Sequence, residues 1–104
     1  MKERTIRSGN GNLLKNGVAV GGKLHLTSEY VYHIPHAMNL NKKQTEIALG
    51  EISQVHLISH RIFNLIPISN GLEIVLHSGD TMRFVVNKRK RWKREIEQAL
   101  ENGY

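Results

Sequence analysis

Along most of the chain, hydrophobic and polar residues alternate with a period of two. Leu24 and Leu26 share one face of a run whose other face carries Lys23, His25 and Thr27. Successive side chains of a strand point to opposite sides, so this is the pattern of a half-buried strand. Ile47 and Leu49, Val55 and Leu57, Leu72, Ile74 and Leu76, and Met82, Phe84 and Val86 repeat it. Tyr30–Ile34 is rich in aromatic and β-branched residues and reads as a further strand; Pro35, which has no N–H to give to a ladder, ends it or sits at an edge. In that strand Tyr30, Tyr32 and Ile34 alternate with Val31 and His33, and hydropathy assigns His33 the outward phase.

The breaks between runs suggest turns. Gly21-Gly22, between Asn16–Val20 and Lys23–Thr27, predicts a hairpin. After the apolar stretch Phe63–Ile68, the residues Pro67 and Ser69-Asn70-Gly71 predict a bent segment with a turn. Ser78-Gly79-Asp80 makes the strongest hairpin signal, and Glu51 is expected to serve the turn before Ile52. Residues 1–11 are polar, with glycine and asparagine, and are expected to form a flexible N-terminal arm; residues 36–44 read as a polar loop. The folded unit is then a single domain over 12–104.

From Lys88 the period becomes helical. Trp92, Ile96, Ala99 and Leu100 fall at i, i+4, i+7 and i+8, one apolar stripe, with Asn87 as the expected N-cap and Gly103 as the stop. The expected fold is α+β and mainly β, a barrel of about seven antiparallel strands capped by one C-terminal amphipathic helix, with Trp92 as the plug.

Charge changes this picture at one place. The net charge is +6, and Lys88, Arg89, Lys90, Arg91, Lys93 and Arg94 supply six positive charges within seven residues. Outside that run basic and acidic residues balance, nine against nine. A helix N-terminus is already partly positive, so each cation in the first turn costs roughly 0.3–1 kcal/mol. A sequence that breaks a local rule in this way marks a candidate contact for a polyanion. The absence of cysteine excludes disulfides and thiolate chemistry. No stretch approaches the roughly 18–20 apolar residues of a membrane span, and no apolar core of a signal peptide follows Lys2, Glu3 and Arg4. The expected location is the cytoplasm, peripheral to a membrane where lipid is the partner.

The order of these segments resembles the pleckstrin-homology-like (GRAM-type) family. The run Gly22-Lys23-Leu24-His25-Leu26-Thr27 followed by Tyr30-Val31-Tyr32 is similar to the GRAM-type opening. Ile47–Val55 resembles the family's segment of strand, acidic residue, Ile, two residues and Val. Asn70–Ile74, Gly79-Asp80 with Phe84, then Arg91-Trp92 and Ile96 resemble its closing hairpin and helix. The resemblance covers roughly 12–100 and implies a binding module for phosphoinositides, other membrane lipids, peptides or proteins. Lipid-binding members place several basic residues on the first two strands and their connecting loop. Here that region offers Lys15 and Lys23 alone, which moves the expected contact to the helix.

The reading is therefore a non-enzymatic interaction domain without cofactor. Its partner is anionic lipid headgroups or a protein, with Lys88, Arg89, Lys90, Arg91, Lys93 and Arg94 as the contact. The alternative is a self-assembling homo-oligomer that pairs an exposed strand edge, the apolar 53–68 region being covered by a copy of itself. Nucleic acid is disfavoured, because with Trp92 assigned to the core no surface aromatics interleave with the basic run, as single-strand binders tend to use. His33 with His36, and His56 with His60, lack a third ligand; all, with His25 and His77, are read as surface histidines rather than a metal site. Neither a nucleophile elbow nor a phosphate-binding glycine loop is present.

Overall fold

The computed structural model describes residues 2–15, 18–36, 43–63 and 66–102, with the backbone alone for 59–63 and 66–69. Seven strands form one antiparallel sheet: β1 (Thr5–Lys15), β2 (Val18–Thr27), β3 (Tyr30–Pro35), β4 (Thr45–Ala48), β5 (Ile52–Phe63), β6 (Ile66–Leu76) and β7 (Thr81–Val86). Their spatial order is β4-β3-β2-β1-β7-β6-β5, so β1 bridges the two halves by pairing with both β2 and β7. The helix α1 (Arg89–Glu101) follows, and a single 3-10 turn, Leu49–Glu51, links β4 to β5.

The predicted alternation sets the core. Leu24, Leu26, Val31, Ile47, Leu49, Ile52, Val55, Leu72, Ile74, Phe84 and Val86 are buried together with Trp92, Ile96 and Ala99 of the helix. The helix stripe thus fills the barrel interior, and burial of its apolar side chains supplies most of the helix's stability. Two turns have the expected chemistry. The backbone N–H of Ala48 donates to a Glu51 carboxylate oxygen at 2.9 Å. Gly79 adopts φ +96, which a glycine accommodates without steric cost, in the β6–β7 turn.

Other expectations are corrected. Residues 5–11, read as part of a flexible arm, belong to β1. Their polarity does not prevent pairing, because β2 supplies backbone partners along this stretch and β7 joins from Gly11 onward. Gly21-Gly22 is not a hairpin turn but lies inside β2, which follows β1 after Lys15. Glycine is required at 22 for close approach: a Cβ there would collide with the Ile34 carbonyl and come within 2.8 Å of the His33 ring. Asn70-Gly71 likewise runs within β6, where a Cβ on Gly71 would sit 2.6 Å from the Ile58 carbonyl.

The phase of β3 is also reversed. His33 is 1% exposed, while Ile34 is 39% exposed. Directly paired residues share a face, and Leu24 pairs with His33 while Leu26 pairs with Val31. Once the two leucines point inward, Val31 and His33 must follow. Helix capping differs too. The helix begins one residue later than expected: Lys88, not Asn87, is the N-cap, in the left-handed region at φ 58, and its carbonyl accepts the N–H groups of Arg91 and Trp92. A non-glycine residue in that conformation costs roughly 1–2 kcal/mol. At the other end the Asn102 N–H returns to the Gln98 carbonyl at 3.0 Å. The expected stop at Gly103, most of the expected loop 36–44 and the side chains of the 59–63 and 66–69 stretches lie outside the described residues.

Candidate functional site

The helix divides its six cations by position. Residues three and four apart share a helix face, so Trp92, Ile96 and Ala99 go inward, and Lys90, Arg91 and Arg94 go outward. Lys88, Lys90, Arg91 and Arg94 are exposed, and their side chains form no hydrogen bond or ion pair with a described residue. Arg89 and Lys93 are engaged within the molecule. The Arg89 guanidinium donates to the Ile58 carbonyl at 2.6 Å and to the Gly71 carbonyl at 3.4 Å, tying the helix start to a directly paired position of β5 and β6. Lys93 pairs with Glu97 one turn later at 2.9 Å.

The first strand holds the helix from the other side. Arg7 ion-pairs with Glu95, and its guanidinium carbon lies 5.8 Å from the centre of the Trp92 ring. Trp92 is 2% exposed, a plug and not a stacking platform. The outward helix face is therefore held on a rigid base. In its first turn there is no acidic residue to offset the four free cations.

A small cavity of about 110 Å3 opens at the far end of β1 from the helix contact, lined by Leu13, Lys15, Val20, His33, Lys43 and Thr45. Lys15 reaches it and Lys23 does not; Lys43 joins in its place. Only tertiary structure reveals Lys43, since β1, β3 and β4 must meet before it stands near Lys15.

The histidines do not converge. Among the described residues no group of three His, Asp or Glu side chains could hold a metal ion. His25 bonds to the Ser8 hydroxyl at 2.7 Å and His56 to the Gln54 side chain at 2.8 Å. His33 is the exception to the surface reading. Its Nε2–H donates to the Gly11 carbonyl at 2.9 Å, while buried Nδ1 has no partner among the described residues. Burial, only partly offset by the Gly11 bond, lowers its pKa from the usual 6.5.

A single seven-stranded antiparallel sheet, bridged by β1 and closed by a C-terminal helix, decides the architecture. The chain has a pleckstrin-homology-like fold. Solved structures agree. The N-terminal pleckstrin-homology domain of Vps36 is 19% identical, with a TM-score of 0.71 over 96% of this chain and 80% of that one. The C-terminal domain of an unknown protein from Leishmania infantum is 17% identical, with a TM-score of 0.74 over 94% and 84%. The N-terminal pleckstrin-homology domain of human ARAP2 is 20% identical, with a TM-score of 0.64 over 92% and 79%. No protein-family model matches the sequence, and no curated protein does. At these identities the pleckstrin-homology-like likeness concerns the fold.

Proposed function

We propose that this pleckstrin-homology-like chain is a non-enzymatic binding module of GRAM type that docks on an anionic membrane surface through the outward face of α1. One observation carries the reading: Lys88, Lys90, Arg91 and Arg94 are exposed, with side chains unpartnered among the described residues, on one end of a helix whose remaining cations are engaged internally. Near an anionic leaflet each such side chain contributes about 1 kcal/mol, falling off within a Debye length. Four together support weak, salt-sensitive docking. None of the described helices is long and apolar enough to cross a membrane, so contact from the surface is the mode that fits. The GRAM-type assignment rests on the Gly22–Thr27, Ile47–Val55 and Asn70–Ile74 segments in their correct order.

The test is co-sedimentation with phosphatidylserine-containing and neutral vesicles. The variant is Lys90→Gln/Arg91→Gln/Arg94→Gln, which leaves Arg89 to hold the sheet. The wild type is expected to pellet with anionic vesicles alone, less as salt rises, and the variant to stay in solution. Equal pelleting of both, or of neither at low salt, overturns the reading and returns the basic face to a solvating role.

A further inference from the structure

The outer face of β1–β4 carries an open groove of about 480 Å3, away from the basic helix, whose lining includes Glu3, His25, Thr27, Tyr32, Ile34 and Glu46. The period of two sorts charge here. On β4 and the residues before it, Gln44 and Glu46 line this groove, whereas Lys43 and Thr45 line the small cavity near the end of β1. In a chain with 15 basic residues against 9 acidic ones, the groove is thus lined, among the described residues, by two carboxylates and by no lysine or arginine.

The groove also has an ordered aromatic wall. Tyr32 stacks on Tyr30 with centroids 5.3 Å apart, and its hydroxyl donates to Glu3 at 2.9 Å. Thr27 donates to the same Glu3 oxygen at 2.5 Å, which holds that carboxylate against the sheet. Glu46 is exposed and accepts one bond from a described residue, the Gln44 amide at 3.0 Å. Ile34, one of two exposed large hydrophobics among the described residues, adds apolar surface.

We infer that this groove takes an arginine side chain of a partner polypeptide. The guanidinium would lie against the Tyr32 ring and pair with the Glu46 and Glu3 carboxylates. Arginine suits these walls better than lysine, because its planar fork matches a carboxylate and its weakly hydrated face stacks on an aromatic ring. Charge complementarity names the occupant, and the site is separate from the membrane-docking face.

The probe is a capped Gly-Arg-Gly peptide titrated into the isotopically labelled full chain and followed by amide chemical shifts. Matching peptides carry lysine or uncharged citrulline. Shifts are expected around His25, Tyr32 and Glu46. The arginine peptide should bind about threefold more tightly than the lysine one, and the citrulline peptide should leave the spectrum unchanged. Glu46→Gln should weaken arginine binding about threefold or more, as should Tyr32→Leu, while Asp80→Asn in the β6–β7 turn should not. The basic-face triple variant should bind the peptide as the wild type does, so this proposal and the membrane reading fail separately. Equal responses to arginine and citrulline, shifts centred elsewhere, or none up to about 10 mM peptide overturn it.

Discussion

Arg7 on β1 is ion-paired to Glu95 on α1, across 88 positions of sequence. The contact joins the segment expected to be loose to the element that closes the barrel. Both side chains are 23% exposed, and the Arg7 guanidinium also lies over Trp92. Gly9, two residues on, lies beside the same indole: a Cβ there would stand 3.5 Å from it, at ordinary contact distance. The polar start of β1 is thus the wall against which the Trp92 plug rests.

Arg7→Ala should therefore destabilise the domain by about 1–2 kcal/mol, more than a fully exposed pair would cost, because cover over Trp92 is lost with the charge. Glu95→Gln should cost about 0.5–1 kcal/mol. A double-mutant cycle by denaturant titration reads their coupling, expected near 0.5–1 kcal/mol. Strictly additive effects would show that the pair contributes nothing.

Gly22→Ala should destabilise by about 1–3 kcal/mol, since the new methyl meets the Ile34 carbonyl and the His33 ring, neither of which can move freely in a packed sheet. Gly50→Ala is the control. A Cβ at Gly50 meets nothing within 4 Å, and the change is expected to stay within about 0.5 kcal/mol. Thermal unfolding of the two variants side by side distinguishes close approach from a general intolerance of glycine replacement.

The buried imidazole makes stability depend on pH. His33 has its pKa lowered by burial, so the unfolded chain takes up a proton near pH 6.5 that the folded chain refuses. Its contribution is complete above pH 6.5 and is lost as pH falls below it. Tyr32 acts at the other extreme. Desolvation, then the bond to Glu3, push its pKa from 10.0 up to about 12. That contribution is complete below pH 10 and is lost as pH rises towards 12. Denaturation midpoints measured across both windows should fall at each end, and Tyr32→Phe should remove the alkaline fall. A Tyr32→Phe profile unchanged above pH 10 would reject the assignment.

Local periodicity was enough for the strands that carry leucine, isoleucine and phenylalanine at alternate positions, and for the Trp92 stripe. In each, the hydrophobic effect acts through spacing that the sequence displays directly. Glu51 and Gly79 were legible for a similar reason, because a turn's chemistry lies within a few residues. The candidate basic site was legible as a run of charge, but its division was not. Arg89 reaches carbonyls 31 and 18 positions away, and no local rule announces that.

The sequence by itself therefore determined the mainly β class, the alternation of the strands that bury leucine, isoleucine and phenylalanine, the closing helix and the place where excess charge collects. Tertiary structure alone decided that β1 is a strand, that His33 faces inward, that Gly22 and Gly71 serve close packing, and which cations remain free. Each of these depends on a partner distant in sequence. A polar strand is made by neighbours that satisfy its backbone, and strand phase follows the register of the paired strand. A cation is free only when no carbonyl or carboxylate from elsewhere in the fold reaches it.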